Sequence, residues 1–344
     1  MIVFKNKFIF KIKVKEFLGF PDDLIITKYS FIRKGLNLSE AELWQKQNNL
    51  NLKYINLTKM DIWRENNLTK FLLIEIPKDW NGECGGFANQ MWRFAVIYVW
   101  GLQLGRYPGI FNNSAWTCDS LNLPNEIEET FPVVHKIFIY FKPNQIENNT
   151  KYQINYDLNE MIKSKEKYLR ILPPPQIHEL FKNYRNQVRE LFTFSNKVRT
   201  IVDKYINEIF RNDSSHKLCV HTRLGDFGTI KWPKHHPSRK DFTEESTKFV
   251  FNEIKVQKRV FIPKNMPRGQ DIYFSTKICN SLIITASVST FGWWIGYLLN
   301  DIKSQIYFYD DFDDNTIFQR KDFPSEWIPL KFNLKTKQII KEGH

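Results

Sequence analysis

Lys217 to Gly228 reads KLCVHTRLGDFG and sets an imidazole, a guanidinium and a carboxylate close together as His221, Arg223 and Asp226. Arginine carries a permanent cation on a planar fork of donors, a match for phosphate oxygens. A histidine and an aspartate beside it can orient that fork or move a proton. A strand-end arginine paired with a local aspartate is the structural alternative, and this stretch alone leaves both open.

Two further stretches carry groups of the same kind. Gly85 to Ala95 reads GGFANQMWRFA, in which Gly86, Asn89 and Gln90 stand where a loop enters a helix. Asn89 offers both a donor and acceptors for sugar hydroxyls, or it caps the helix. Ser287 to Leu298 reads SVSTFGWWIGYL, with Ser289, Thr290 and Phe291 at a helix start. Small hydroxyls at a helix amino end suit an anion, and they are also good caps. Trp293 and Trp294 read as core residues by their large apolar faces.

The elements that must hold these groups follow from pattern. Leu218 to Thr222 is a short apolar, β-branched run, as in a buried strand, and it breaks at Leu224-Gly225-Asp226. His221, Arg223 and Asp226 are therefore expected at the carboxyl end of a strand, where open α/β sheets bind ligands. Phe71 to Ile76 reads as a strand, Pro77 to Gly86 as a loop, Phe87 to Leu104 as a buried helix ended by Gly105, and Tyr107 to Phe111 as the next strand. After the stiff Pro173-Pro174-Pro175 come helices at Gln176 to Leu191 and Asn196 to Phe210. Thr243 to Lys255 reads as a helix capped by Thr243, and Phe291 to Leu299 as another. Strands are expected at Val260 to Ile262, Ser281 to Ala286 and Gln305 to Tyr309. Residues 1–75 read as an irregular, stem-like region with a helix near Ser39 to Gln47; 76–212 and 213–344 read as two α/β halves.

The three motifs in this order resemble the α-1,2-fucosyltransferase family, of the kind expanded in nematodes. Its signatures are a glycine-rich turn into Asn-Gln, then His-x-Arg-Arg-Gly-Asp, then Ser/Thr-Phe before paired aromatics. The resemblance covers roughly Gly85 to Leu330 and departs at Leu224, where the family has a second arginine, and at Ala88, where it has glycine. It implies a GT-B-like fold, two Rossmann-like halves facing a cleft, with the carboxyl half on the nucleotide-sugar side and the other on the acceptor side. It implies transfer of L-fucose from GDP-fucose to a galactose-containing glycan, inverting and without a metal or other cofactor. Arg223 would serve the diphosphate, with Asp226 and His221 as catalytic candidates; Gly86, Asn89, Gln90, Ser289, Thr290 and Phe291 would bind substrate. The departures also allow a weak or inactive relative that binds a glycan or GDP-sugar.

Composition agrees with a globular chain: 344 residues, 42% hydrophobic and 25% charged, with a net charge of +13. The basic residues are spread out and no nucleic-acid motif occurs, so the charge suits an anionic small ligand better than a nucleic acid. Apolar runs near the start, such as Phe8-Ile9-Phe10, are broken by lysines and fall short of the roughly 20 residues that span a membrane. No signal-peptide core is visible, although the family is typically Golgi and membrane-anchored. Sequons at Asn37, Asn56, Asn67, Asn112, Asn148 and Asn212 agree with a lumenal address. Of the cysteines, Cys219 reads as a small core residue, and Cys84 and Cys118 are a candidate pair. His178-Glu179 begins like a zinc signature, but Lys182 stands where the second histidine must be. The adjacent His235 and His236 lack a third ligand at metal spacing, and Asp311-Phe312-Asp313 is a pattern that acidic loops match cheaply.

Overall fold

The computed structural model describes residues 2–5, 70–74, 85–111, 126–141, 152–153, 157–172, 176–211, 213–225, 227–229, 233–254, 260–299, 304–312 and 318–341. In chain order the elements begin with β1 (Ile2–Lys5), β2 (Phe71–Ile74), α1 (Phe87–Leu104), β3 (Tyr107–Phe111), α2 (Glu126–Thr130), α3 (Pro132–Ile137) and β4 (Ile139–Phe141). Next come β5 (Tyr152–Gln153), α4 (Leu158–Lys163), β6 (Tyr168–Ile171), α5 (Arg185–Leu191) and α6 (Asn196–Phe210). The last set is β7 (Leu218–His221), α7 (Lys240–Ile254), β8 (Val260–Phe261), α8 (Arg268–Ile278), β9 (Ser281–Ile284), α9 (Thr290–Leu298), β10 (Gln305–Tyr309), β11 (Ile328–Asn333) and β12 (Gln338–Lys341). The chain divides into two compact units, Lys34–Arg199 and Met1–Arg33 with Thr200–His344. Each is an α/β unit built on a largely parallel sheet, the Rossmann-like fold class that the motifs imply.

The Lys34–Arg199 unit holds a five-stranded sheet in the order β4-β3-β2-β6-β5, parallel throughout. Successive connections leave β2 first towards β3 and later reach β6 on its other side, so the topological switch point lies beside β2. Leu72, Leu73 and Ile74 of β2 are fully buried, as befits a central strand. Against it packs α1, apolar nearly all round and closed at Gly105 in the left-handed conformation (φ 60°), its backbone N–H donating to Gly101 O. At the opposite, amino end of the strands, the buried Arg106 donates to Phe71 O, Glu166 O and Ser164 O at 3.3, 2.8 and 2.9 Å. Those bonds give the buried guanidinium the acceptors that its burial would otherwise leave it without.

The other unit holds a seven-stranded sheet in the order β12-β11-β10-β9-β7-β1-β8. All neighbours are parallel except the closing hairpin β11–β12. The switch point falls between β7 and β9, because the chain leaves β7 for β8 on one side and returns to β9 on the other. Both strands are buried along their whole length. Cys219 and Cys279 form a disulfide that joins β7 to the carboxyl end of α8, with Cα atoms 5.6 Å apart.

Four expectations need correction. Ile2–Lys5 is not irregular: it is a parallel strand inserted between β7 and β8, pairing Val3 with Cys219 and Val3 with Phe261. Backbone ladder bonds from a distant segment decide this, and the Ile2-Val3-Phe4 run is the only local sign of it. Residues 176–191 do not form one helix. They form two 3-10 turns, His178–Leu180 and Lys182–Tyr184, before α5. Phe181 between the turns is 1% exposed, and the Phe181 ring lies 5.2 Å from that of Trp92. The helix α7 starts at Lys240, three residues before the expected Thr243 cap, and Thr243 Oγ1 instead donates back to Arg239 O. Cys219 is a disulfide partner as well as a core residue, a pairing that spacing cannot reveal. The helix expected near Ser39 to Gln47, the six sequons and the Cys84–Cys118 pairing lie outside the described residues.

Candidate functional site

At the switch point of the seven-stranded sheet, β7 ends at His221 and β9 at Ile284, paired in register. Both strands deliver their carboxyl ends to one place, and three groups tie them there. Thr285 N–H donates to His221 O at 3.1 Å, and Thr285 Oγ1 donates to the same carbonyl at 2.8 Å. Thr285 Oγ1 also shares a 2.7 Å hydrogen bond with Ser238 Oγ. Ser238 then closes the loop that begins at Arg223: Arg223 N–H donates to Ser238 Oγ at 2.7 Å, and Ser238 N–H donates to Arg223 O at 2.8 Å.

Arg223 thus has a fixed backbone just beyond β7 and is partly buried. Its guanidinium lies over the Phe227 ring, 4.9 Å from the centroid, and Phe227 in turn meets the His235 ring at 4.9 Å. A flat ring under a guanidinium restrains it while leaving its edge donors able to form hydrogen bonds. Gly225 takes φ 85° and Gly228 φ 71°, left-handed values that turn the chain back on itself. Asp226 lies outside the described residues.

His221 is 6% exposed and lies beneath the start of α9. His221 Nε2 is 3.1 Å from Ser289 Oγ, and its ring stacks with that of Phe291 at 6.0 Å. Ser289 is the N-cap of α9, its hydroxyl accepting from Gly292 N–H at 3.5 Å. Gly292 has to be glycine: a Cβ there would sit 2.5 Å from His221 Cδ2 and 3.0 Å from Nε2. The first turn of α9 is therefore pressed on the imidazole. Thr290 and Phe291 remain partly exposed, whereas Ser289 is buried. Trp293 and Trp294 are core residues, 1% and 0% exposed and packed edge to face.

In the same unit, Asp311 follows β10 and accepts from His236, with Nδ1···Oδ2 at 3.2 Å. Burial pushes the Asp311 carboxyl up to about 6, against the opposing pull of His236. Among the described residues no group of three or more His, Cys, Asp or Glu side chains could hold a metal ion. Asp313 lies outside those residues.

In the Lys34–Arg199 unit, Gly85 (φ 74°) and the exposed Gly86 lead into α1 beside the switch point at β2. A Cβ on Gly85 would lie 2.7 Å from Asn89 Cβ and 3.1 Å from Arg93 Nη2, so this turn can be made only by glycine. Asn89 is partly exposed in the first turn of α1, while Gln90 faces the interior at 4% exposure and Arg93 at 6%. The helix has no side-chain cap bond from Gly86, and Asn89, three residues inside, is not its N-cap. Ala88 is buried in α1 and Leu224 is partly buried after β7. Thr285, Ser238, Phe227, Gly292 and the His236–Asp311 pair were not predicted as parts of this site. Only the glycine in a hydroxyl-rich helix start hints at them, because their roles arise from contacts across the sheet.

Two Rossmann-like α/β units, one gathering an arginine and a hydroxyl-capped helix at its switch point, are the class that the fold and the site define. No family model matches the chain. It is 25% identical over 287 residues to a Caenorhabditis elegans protein provisionally named galactoside 2-alpha-L-fucosyltransferase svh-11, a match covering 71% of this chain and 76% of that protein. Two C. elegans proteins named galactoside 2-alpha-L-fucosyltransferase match shorter stretches. One is 41% identical over 66 residues, 18% of each chain; the other is 26% identical over 221 residues, 47% of this chain and 52% of its own. A solved mutant of Arabidopsis thaliana FUT1 in complex with GDP covers 81% of this chain and 80% of its own, at 10% identity and a TM-score of 0.41, too slight a likeness to argue from. The chain is thus similar in sequence to nematode proteins named galactoside 2-alpha-L-fucosyltransferase.

Proposed function

We propose that this chain transfers L-fucose from GDP-fucose to a hydroxyl of a galactose-containing glycan, with α-1,2 linkage, inversion and no metal. The observation that carries the reading is Arg223. In a chain similar to galactoside 2-alpha-L-fucosyltransferases, it stands at the carboxyl end of β7, at the switch point, its main chain clamped by Ser238 and its guanidinium over the Phe227 ring. The reaction places negative charge on a departing diphosphate, and a preorganised cation there lowers the barrier. The backbone N–H groups of Thr290 and Phe291, in the first turn of α9, add donors and the positive end of a helix dipole. His221, buried under that turn, acts as its support. Asp226 remains the candidate for taking the acceptor proton. Gly86 and Asn89 are the acceptor-side candidates; Gln90 is buried.

No helix among the described residues is long and apolar enough to cross a membrane. The buried Cys219–Cys279 disulfide supports a lumenal address, the Golgi lumen by family resemblance, since such bonds persist in oxidising compartments. Turnover of labelled GDP-fucose over a panel of galactosides tests the proposal, with Arg223→Lys and excess EDTA as arms. Transfer lost in Arg223→Lys but kept in EDTA is the expected result. No transfer to any galactoside, or loss in EDTA restored by Mn²⁺, overturns it.

Leu224 favours a second reading, a weak or inactive relative that still binds a GDP-sugar. The family's arginine would supply a hydrogen bond to a charged group at this position, and losing one costs roughly 1.5–3 kcal/mol. That is on the order of 10- to 100-fold in rate, a handicap that leaves a slow enzyme.

A further inference from the structure

The loop from Arg223 to Arg239 does more than connect β7 to α7. Its outgoing limb carries Phe227, under the Arg223 guanidinium, and Gly228. Its returning limb packs directly on this one: a Cβ on Gly228 would lie 3.2 Å from Pro237 Cδ, and the His235 ring meets Phe227 at 4.9 Å. The next residue along, His236, reaches out of the loop to Asp311, just past the end of β10. The root of the loop is fixed at Arg223–Ser238, and the returning limb is fixed again two residues earlier by His236–Asp311, while Phe227 packs on His235.

We infer that His236 and Asp311 are positioning residues: their hydrogen bond anchors the returning limb to β10 and so holds Phe227 under the Arg223 guanidinium in the pose that receives a nucleoside diphosphate. The inference rests on the proposed role of Arg223. The pair is well placed for such a task, because Asp311 is itself held in a short segment whose neighbour Asp310 pairs with Arg320 at 3.5 Å and donates its N–H to Leu330 O at 2.9 Å. Ser287 Oγ donates to Tyr309 O, so the α9 approach loop and the Asp311 segment share one strand end. An anchor made at that point registers the arginine loop against the helix start that faces the same ligand. Loss of the anchor frees Phe227 to move off the guanidinium, and misplacement of a positioned group by about 1 Å costs up to on the order of 100-fold in the function it serves.

The experiment is GDP affinity by titration calorimetry on the full chain, with thermal midpoints measured in parallel so that every titration is run on folded protein. Arg223→Lys sets the scale for losing the planar fork. Asp311→Ala and His236→Ala should each weaken GDP by on the order of 10-fold, and together by no more than either alone, since they break one contact. Asp311→Asn, whose carboxamide oxygen still accepts from Nδ1–H, and His236→Asn, whose amide replaces that donor, should bind as the parent does. Parental affinity in Asp311→Ala, or an Asp311→Asn as weak as Asp311→Ala, overturns the inference. So does a His236→Ala that loses turnover at unchanged GDP affinity, which would mark a proton-transfer role. If Arg223→Lys binds GDP as tightly as the parent, the role of Arg223 fails first and this inference with it.

Discussion

Gly292 is where the site's geometry can be tested by a single methyl group. Gly292→Ala places a Cβ 2.5 Å from His221 Cδ2, 3.0 Å from Nε2 and 3.0 Å from Ile284 Cγ2. None of these is the loose end of a flexible chain: the imidazole is buried and hydrogen-bonded to Ser289, and Ile284 ends the central strand β9. Overpacking of a tight core costs about 1–3 kcal/mol. Displacing the imidazole from Ser289 adds about 1 kcal/mol. Alanine in a helix returns up to about 1 kcal/mol relative to glycine. The net expectation is a loss of about 1–3 kcal/mol, or a thermal midpoint lower by roughly 2–12 °C at 2–4 °C per kcal/mol. A double-mutant cycle isolates the cause. In a His221→Ala background two of the three clashing atoms are gone, so Gly292→Ala should cost at least about 1 kcal/mol less there. The assay is denaturant unfolding of the four proteins followed by tryptophan fluorescence. A Gly292→Ala chain as stable as the parent, or an equal cost in both backgrounds, would refute the packing of α9 on His221.

Leu224→Arg should raise turnover or GDP affinity by on the order of 10- to 100-fold with the thermal midpoint unchanged, if the missing arginine is the handicap; no gain in either quantity removes that explanation. Replacing Cys219 and Cys279 together by serine opens a loop with a separation of 60 residues and should cost about 4 kcal/mol in the chain-entropy account, read as a lower denaturation midpoint; an unchanged midpoint shows that the bond adds nothing. Burial raises the Asp311 carboxyl from 3.8 to about 6. The folded protein therefore holds that proton more tightly than the unfolded chain, and the stability this gives is complete below about pH 4 and lost as pH rises through 6. The loss is on the order of 3 kcal/mol, and Asp311→Asn should abolish that slope in stability measured between pH 4 and 7; an identical slope places the titration elsewhere.

Much of the frame was legible because its signals are local. Phe87 to Leu104 is apolar nearly all round and closed by a glycine that adopts the left-handed cap, so both bounds of α1 follow from the chain. The carboxyl end of β7 follows likewise, because a β-branched run meets Gly225. The 3-10 turns at residues 178–184 were not legible, since apolar spacing at three and four fits an α-helix as well. Nor was the Lys240 start of α7, where no residue announces the boundary more strongly than Thr243 does.

By itself the sequence determined the site's cast: Arg223 after a buried strand, Gly86 and Asn89 at a helix entry, and Ser289 to Phe291 at another. These are choices of residue type at fixed local spacing, and local sterics and hydrogen bonding act on them wherever the chain goes. Only the tertiary structure decided how those residues are used. It buried His221 under Gly292, gave Ser289 to the cap, turned Gln90 inward, bound Cys219 to Cys279, tied His236 to Asp311 and brought Ile2–Lys5 into the sheet between β7 and β8. Each of those depends on partners far apart in the chain, and a partner across a sheet is selected by strand order, which no window of sequence contains.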